Sequence, residues 1–297
     1  MKVIKITPRG YCLGVIKALN IVKETINNYP QERIYLLGMI VHNQLIHQAL
    51  KDRITLLDNS KSKNEWLKEI KTGVVIISAH GVAPDIIKQA KNKGLIVVEA
   101  TCKYVTQSHN LAQEYLKQDY QIIYIGQKNH PEAEGVIGID HKNIHLVSNK
   151  NDIPSNITKP LMVLTQTTLN YQTTKALFNH IKKIYPSAII MDEICQATSS
   201  RQQAIIDLEP VDILYVVGDK NSNNANKLVE IAQNKAIKEV YLIQSVKDIT
   251  LTASDSFKTV AITSAASTPT LLTKQVIDYL SDFPNSKKQP LNLDELI

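Results

Sequence analysis

Short apolar runs rich in Val, Ile and Leu alternate along the chain with stretches in which apolar residues recur at helical spacing. The first helical stretch carries Val15, Ala18, Leu19 and Val22 on one face of a helix predicted over residues 15–29. Continuous apolar runs are typical of strands buried on both faces of a parallel sheet, so the alternation predicts an α/β fold. Twelve candidate strands begin near Lys2, Arg33, Arg53, Gly73, Leu95, Gln121, Ile144, Leu161, Ala188, Asp212, Glu239 and Lys258.

The three cysteines all fall between a candidate strand and a candidate helix. Cys12 follows the strand at residues 2–6, Cys102 follows an apolar run at 95–98, and Cys195 precedes a helix predicted around 202–208. Backbone N–H groups and the positive end of a helix favour a thiolate, which is the form that binds metal. The cysteines are 90 and 93 residues apart. We therefore predict that the three thiolates meet in space.

Polar loops repeat in register with the cysteines. His42, His130 and Asn224 lie 30, 28 and 29 residues after a cysteine, in loops that follow a candidate strand. A second set of polar turns contains His80, Thr167 and Ser267, at 68, 65 and 72 residues after a cysteine. Ligands of parallel α/β sheets bind outside the carboxyl ends of the strands. The repeat therefore predicts one polar chamber lined by loops from three similar segments.

Cutting the chain at the cysteines defines the predicted domains. Segments 13–101 and 102–194 hold four candidate strands each, and 195–283 holds three, which the strand in 1–12 would complete. We predict three pseudo-threefold-related lobes around a central cluster, each a small, mostly parallel four-stranded sheet with covering helices. Residues 284–297 lack a periodic pattern, which predicts a loose or partner-facing tail.

Composition narrows the class of protein. The chain has 297 residues, no apolar run of membrane-spanning length and no signal-peptide pattern, so we expect a cytoplasmic protein without a membrane partner. Three cysteines do not make a disulfide framework. The net charge of +6 fits an anionic small molecule, an acidic protein partner, nucleic acid, or simply a basic proteome.

Two chemistries fit three converging thiolates. A zinc site would need a fourth ligand, and the CxxC pairs that zinc sites often show are absent from this sequence. A four-iron cluster held by three thiolates would keep one iron open to substrate. His130 and Glu132 form the best acid–base pair, because a buried glutamate has a raised pKa and can deliver a proton. An exposed loop pair is the alternative interpretation.

Several polar residues at strand ends are candidates for binding anionic oxygens together with helix N-terminal amides. They are His42, His80, Ser222, Asn224 and Ser267. Taken one at a time, Ser and Asn at such places are more often ordinary helix caps.

The motifs together resemble the 4-hydroxy-3-methylbut-2-enyl diphosphate reductase family, over about residues 1–283. They are Pro8-Arg9-Gly10-Tyr11-Cys12-Leu13-Gly14, Val41-His42-Asn43, Ser78-Ala79-His80-Gly81, Ala100-Thr101-Cys102, His130-Pro131-Glu132, Thr165-Gln166-Thr167-Thr168, Ile194-Cys195-Gln196-Ala197-Thr198 and Lys220-Asn221-Ser222.

The resemblance implies three α/β lobes around one [4Fe–4S] cluster held by Cys12, Cys102 and Cys195. It implies proton delivery by Glu132, helped by Thr167 and His130. The residues that it assigns to the diphosphate are His42, His80, His130, Ser222, Asn223, Asn224 and Ser267. The implied reaction removes the allylic hydroxyl as water and gives isopentenyl and dimethylallyl diphosphate. An acidic ferredoxin or flavodoxin type donor would supply two electrons.

Four places depart from the family pattern: Asn223 replaces a serine, Lys103 replaces a proline, Gln127-Lys128-Asn129 replaces a His-Ala/Gly-Gly run, and Ser264-Ala265 lacks the usual glycine. Two other functions remain open. One is an iron–sulfur or zinc protein without turnover, acting as a redox sensor or nucleic-acid binder; spread lysines and 5% aromatic residues count against nucleic acid. The other is a zinc-dependent hydrolase of phosphate esters.

Overall fold

The computed structural model describes residues 1–57, 60–235 and 237–296, and strands occur at all twelve predicted places. The strands are β1 (Lys2–Lys5), β2 (Ile34–Leu37), β3 (Thr55–Leu57), β4 (Val74–Ile77), β5 (Ile96–Glu99), β6 (Gln121–Ile125), β7 (Ile144–Val147), β8 (Leu161–Thr165), β9 (Ile189–Ile190), β10 (Ile213–Val217), β11 (Glu239–Ile243) and β12 (Thr259–Ser264). The α-helices are α1 (Leu13–Asn28), α2 (Gln44–Leu50), α3 (Lys63–Glu69), α4 (Pro84–Asn92), α5 (Lys103–Lys117), α6 (Pro131–Ile137), α7 (Tyr171–Ile184), α8 (Gln196–Ile206), α9 (Asn223–Gln233) and α10 (Thr270–Ser281).

The strands form three four-stranded sheets, with the orders β1-β12-β10-β11, β3-β2-β4-β5 and β7-β6-β8-β9. Every strand pairing among the described residues is parallel. The predicted fold class, three small parallel sheets with helices, is confirmed. The strand before Cys12 completes the third sheet as predicted, because β1 pairs with β12.

The chain divides into two compact units. The first comprises Met1–Val15, His42–Leu50 and Gln196–Ile297, and it contains the sheet β1-β12-β10-β11. The second comprises Ile16–Val41 and Lys51–Cys195, and it contains the other two sheets. The domain boundaries predicted at the cysteines stay a prediction.

The same hydrogen bonds recur at the carboxyl edge of each sheet. A glycine that follows one of the two inner strands donates its N–H to the carbonyl oxygen of the last residue of the adjacent outer strand. The three pairs are Gly38 to Leu57, Gly126 to Val147 and Gly218 to Ile243, at 3.1, 3.1 and 2.8 Å. The repeat found in the polar loops is therefore also a repeat of backbone geometry.

The sheet β7-β6-β8-β9 shows why its inner strands appear in the sequence as continuous apolar runs. Ile123 and Val163 face a core completed by helix α7, whereas Ile122 and Met162 face the opposite core, completed by α5 and α6. All four side chains are fully buried. A strand covered by helices on both faces needs apolar residues at every position, so the alternating pattern of a one-sided sheet is absent.

Helix α8 begins at Gln196, directly after Cys195 and earlier than the helix predicted around residues 202–208. The first turns were missed because their buried residues are polar. Thr198, Arg201 and Gln202 are at most 2% exposed, and Arg201 donates to the carbonyl oxygen of Gly10 at 2.7 Å within the first unit. Helical periodicity in hydrophobic residues does not detect such a buried face.

The C-terminal residues differ from the predicted loose tail. Leu293–Leu296 form a 3-10 turn that packs against α2 and α10. Leu296 is buried, and its carbonyl oxygen accepts a 2.9 Å hydrogen bond from the Tyr11 hydroxyl.

The segment before this turn is held by polar bonds, from Lys288 to the carbonyl oxygens of Lys247 and Ile249 and from the Gln275 amide to that of Pro290. One buried apolar side chain and several hydrogen bonds to backbone carbonyls produce no periodic signal in the sequence.

Within the described part of the chain, no helix is both long and apolar enough to cross a membrane.

Candidate active site

Each cysteine is fixed by a backbone hydrogen bond to the loop that follows a neighbouring strand. The acceptor is always the carbonyl oxygen two residues beyond the end of that strand. The three bonds run from the N–H of Cys12 to Ala266, from Cys102 to Ala79 and from Cys195 to Thr167, at 3.0, 3.0 and 3.1 Å. Equivalent positions in three sheets therefore carry the three cysteines of the chain.

The cysteines have the chemistry that an iron–sulfur cluster requires. All three are cysteines of intermediate burial outside any disulfide, and each directly precedes the first residue of α1, α5 or α8. Cys12 belongs to the first unit, and Cys102 and Cys195 belong to the second. Among the described residues, no three His, Cys, Asp or Glu side chains form a group that could hold a metal ion. A cluster places each thiolate on a different iron, so this finding is compatible with one.

Polar loops of the first unit converge beside the start of helix α9. The Ser267 hydroxyl donates to the carbonyl oxygen of His42 at 3.2 Å and lies 3.4 Å from the Ser222 hydroxyl. The Asn43 side-chain amide donates to the carbonyl oxygen of Ser267 at 3.3 Å. Three chain segments that are distant in sequence thus meet at one helix start, where N–H groups favour an anion.

Asn224 is the clearest indication of a ligand in this cluster. Its side chain is 5% exposed, and neither its amide nitrogen nor its amide oxygen has a hydrogen-bond partner among the described residues. Buried amides are almost always hydrogen-bonded, because leaving one unpaired costs about 1–3 kcal/mol. Neighbouring Asn223 is the first residue of α9 and is 8% exposed. A ligand that accepts hydrogen bonds would satisfy the Asn224 nitrogen.

Asp219, which was not predicted from the sequence, connects two of these polar loops through hydrogen bonds. It is 2% exposed, and its carboxylate accepts from the backbone N–H of Gln44 and of Asn221, both at 2.8 Å. Burial lowers the pKa of His42, while the negative charge of Asp219 raises it. The only sequence signal was the position of Asp219 directly after the glycine that follows strand β10.

Replacing Asp219 by Ala should lower the free energy of unfolding of the apoprotein. Two backbone N–H groups would lose their acceptor, and an unsatisfied buried donor costs about 1–3 kcal/mol. Thermal unfolding should show a fall of several degrees, with a smaller fall for Asp219→Asn, which keeps one acceptor oxygen. Asp207→Ala is the matched control, because Asp207 is exposed on the same unit. Equal melting temperatures for Asp219→Ala and the control would show that this carboxylate anchors nothing.

The second unit holds a buried acid, Glu132, at the start of α6. It is 1% exposed, and burial raises its pKa to about 7, although a hydrogen bond from Thr167 opposes the rise. The Thr167 N–H donates to Glu132 Oε1 at 2.9 Å. A carboxyl with this pKa exists in both protonation states near neutral pH, which suits proton transfer.

His130 caps the same helix and lies beside His80. Its Nδ1 accepts from the Glu132 N–H at 3.2 Å, so the neutral ring carries its proton on Nε2. The rings of His130 and His80 are 5.7 Å apart in an edge-to-face arrangement. The structure therefore brings together four of the predicted site residues in this unit: Glu132, Thr167, His130 and His80.

Glu193 is a second buried acid that sequence reasoning missed. It is 8% exposed, its backbone N–H donates to the Thr165 hydroxyl at 3.0 Å, and burial raises its pKa to about 7. The charge of Glu132 also raises the pKa of Glu193, so the two carboxyls lie in one electrostatic environment. Tyr124 is fully buried nearby, and burial together with both carboxyls raises its pKa. Nothing in the sequence indicated this role, because no acidic residue stands two positions before either of the other cysteines.

The departures from the family pattern fall at sites that accept them. Asn129 has a positive φ of 62°, a conformation that asparagine tolerates better than most residues. The Gln127 N–H donates to the Gln166 side chain at 2.9 Å. Ala265 is buried, and its N–H donates to the carbonyl oxygen of Val217 at 3.0 Å. Lys103 is exposed as the first residue of α5.

Comparison with known proteins gives one consistent answer. A family model described as LytB protein matches residues 3–281. The 4-hydroxy-3-methylbut-2-enyl diphosphate reductase of Symbiobacterium thermophilum is 41% identical over 289 residues, which is 95% of this chain and 98% of that protein.

Two solved structures share the fold. The E-1-hydroxy-2-methyl-but-2-enyl-4-diphosphate reductase of Plasmodium falciparum superposes with a TM-score of 0.84 at 32% identity, over 95% of this chain and 89% of that one. An (E)-4-hydroxy-3-methyl-but-2-enyl diphosphate reductase, described as the terminal enzyme of the non-mevalonate pathway, gives a TM-score of 0.69 at 28% identity, over 95% and 100%. The resemblance to an oxidoreductase family is confirmed, and the chain belongs to the LytB protein family.

Proposed function

We propose that the chain reduces 4-hydroxy-3-methylbut-2-enyl diphosphate to isopentenyl and dimethylallyl diphosphate. The observation that carries the proposal is the link between a buried acid and a cysteine. Thr167 donates its N–H to Glu132 and accepts the N–H of Cys195 through its carbonyl oxygen. A proton donor and a candidate cluster ligand are thus fixed by one residue. Relatives that are about 40% identical carry the name of this reductase.

Cys12, Cys102 and Cys195 would hold a [4Fe–4S] cluster, since they form no disulfide and occupy equivalent positions beside three sheets. When bound, such a cluster supplies electrons and, at the iron without a protein ligand, a Lewis acid. The overall reaction consumes two electrons and two protons, breaks the allylic C–O bond and releases water.

Glu132 is the proposed source of the proton that converts the departing hydroxyl into water. Burial keeps its carboxyl partly protonated at neutral pH, and Thr167 fixes the orientation of its Oε1 atom. His130 accepts the Glu132 N–H at Nδ1, which fixes the orientation of the ring and places the proton of the neutral ring on Nε2. We assign Glu132, Thr167 and His130 to proton delivery.

The diphosphate group would bind to the polar loops. In the first unit, the start of α9 offers N–H groups that favour an anion. The polar residues at this helix start are Ser222, Asn223, Asn224, Ser267 and His42. In the second unit, His80 and His130 are neighbours and would contribute the remaining donors. The unsatisfied amide of Asn224 supports this assignment most directly, because a phosphate oxygen accepts hydrogen bonds.

The proposed acid predicts how turnover depends on pH. The pKa of Glu132 is raised from 4.5 to about 7, so its carboxyl is protonated below pH 7 and loses its proton above it. The kcat measured with an excess of reduced dye should therefore decline as the pH rises through about 7. A kcat that stays flat from pH 6 to about 9 would remove Glu132 as the acid of the rate-limiting step.

The test of the function is anaerobic turnover of the allylic diphosphate with a reduced viologen dye as electron source. We expect both isomeric products and brown protein with broad visible absorbance after anaerobic purification. Colourless, zinc-containing protein that hydrolyses the diphosphate would favour a zinc hydrolase. Brown protein without turnover would favour a redox sensor. We propose a ferredoxin or flavodoxin type donor and a cytoplasmic location for the reaction.

A further inference from the structure

The first turns of helices α1 and α5 carry exposed side chains that contribute nothing to the hydrophobic core. Leu13 is 84% exposed and Ile16 is 41% exposed, although most large apolar residues of the chain are buried. On helix α1, Leu13, Ile16 and Lys17 are related by spacings of three and four residues and share one face. Exposed apolar side chains of this size are uncommon as a group and usually mark a contact surface.

A shallow depression of about 420 Å³ continues this face within the second unit. Lys17 from α1 and Lys103 from α5 both line it. The depression also includes Thr106, Gln107 and Asn110, which are exposed polar residues on α5. Its one acidic residue, Glu114, lies eleven residues after Lys103, which places it roughly 16 Å further along the helix. The end of the depression near Cys102 is therefore cationic.

This face directly adjoins two of the three cysteines in sequence. Leu13 follows Cys12, and Lys103 follows Cys102, as the first residue of each helix. The third equivalent position, after Cys195, is the uncharged Gln196. Electron tunnelling weakens steeply with distance, so a reductant must approach the ligands of the centre that it reduces. The helix starts next to the cysteines are the surfaces that meet this condition.

We propose that Ile16, Lys17 and Lys103, all in the second unit, form the docking surface for an acidic one-electron carrier protein. We call these three residues the docking face. The inference rests on the proposed function, which requires two electrons from outside the chain. Each encounter oxidises the carrier by one electron and reduces the cysteine-bound centre by one, and no covalent bond forms or breaks. Two encounters supply the electrons for one turnover.

The composition of the docking face suits a transient redox complex. Electron-transfer interfaces are small, below about 1,200 Å² in total, because the carrier must leave after each electron. Two lysines attract an acidic partner over a distance set by the ionic strength, and the exposed Ile16 side chain provides a short-range apolar contact. Lys103 Nζ also lies 5.0 Å from the Tyr104 ring centroid, which restrains the side chain.

The test measures direct binding as well as turnover. A bacterial flavodoxin in its oxidised form would be titrated into the holoenzyme by calorimetry at about 20 mM and about 200 mM salt. The double variant Lys17→Glu and Lys103→Glu should weaken binding roughly tenfold at low salt and lose most of the salt dependence. Ile16→Ser should weaken binding at both salt concentrations, because it removes apolar contact rather than charge.

The control is the double variant Lys175→Glu and Lys183→Glu, which makes the same change of charge on α7, outside the docking face. It should bind flavodoxin with nearly the affinity of the unmodified enzyme. Iron content and viologen-driven turnover should be unchanged in both double variants, since viologen needs no protein docking.

Equal weakening in both double variants would show that general charge, and not the docking face, attracts the carrier. No measurable binding by the unmodified enzyme at low salt, or unchanged binding by the Lys17 and Lys103 variant, would overturn the proposal. Failure of viologen-driven turnover in the unmodified enzyme would instead overturn the proposed function, because that assay does not depend on a carrier protein.

Discussion

Glu132→Gln is expected to lower the kcat with a reduced dye by about two orders of magnitude or more, with iron content unchanged. The side chain is almost fully buried, and its oxygen accepts the Thr167 N–H at 2.9 Å. Glutamine is nearly isosteric and keeps a carbonyl oxygen for this bond, but its amide group cannot release a proton at neutral pH. The measurement is single-turnover and steady-state kinetics under anaerobic conditions.

Glu134→Gln is the matched control for this substitution. Glu134 lies on the same helix two residues later, but its side chain is about half exposed and pairs with Lys63 at 2.8 Å. Its loss should change kcat less than about twofold, because this exposed carboxylate bonds to Lys63 and takes no part in the contact between Glu132 and Thr167. Near-normal kcat in Glu132→Gln would remove this residue from proton delivery, whatever the result for the control.

Replacing any one of Cys12, Cys102 or Cys195 by Ser should cost the protein its cluster and nearly all dye-driven turnover. The chain has three cysteines in all, so no other thiol can take the place of the one removed. Serine keeps the size of the side chain but is a poor ligand for iron. Iron and acid-labile sulfide should be determined on protein purified anaerobically.

Thr101→Ser is the control beside Cys102, because it shortens a neighbouring side chain and leaves all three thiols in place. It should retain iron and sulfide at the level of the unmodified protein. A cysteine variant that retains the full complement of iron and sulfide would exclude that residue as a ligand. Since each cysteine is tested separately, one such result would leave the other two assignments intact.

The fold was largely predictable because the inner strands of its sheets, such as β4, β8 and β10, are buried on both faces. A strand such as β4, in which all four residues are buried, is a continuous apolar run that the sequence displays directly. Helix α8 was harder, because its buried face carries Thr198, Arg201 and Gln202 instead of apolar residues. The turn at Leu293–Leu296 escaped prediction because a single buried side chain and one carbonyl bond hold it.

The candidate site likewise contains some residues that the sequence indicated and others that only the folded structure revealed. Cys102 and His130 were found because they recur in register with the corresponding residues of other segments. Asp219 and Glu193 have no such counterparts, and their importance depends on burial and on hydrogen bonds that only the folded chain reveals. A sequence repeat can therefore indicate which loops line a site, whereas the pKa of a carboxyl in such a loop depends on the tertiary packing around it.

The hydrogen bonds that fix the three cysteines involve no metal, because each runs from a cysteine N–H to a backbone carbonyl oxygen. Backbone hydrogen bonds alone therefore fix the local conformation of each segment that bears a cysteine, so binding of the proposed cluster would not require a disordered loop to fold. If the cysteines hold a cluster as proposed, its assembly would chiefly require the delivery of iron and sulfide, in contrast to small metalloproteins whose folding is driven by metal uptake.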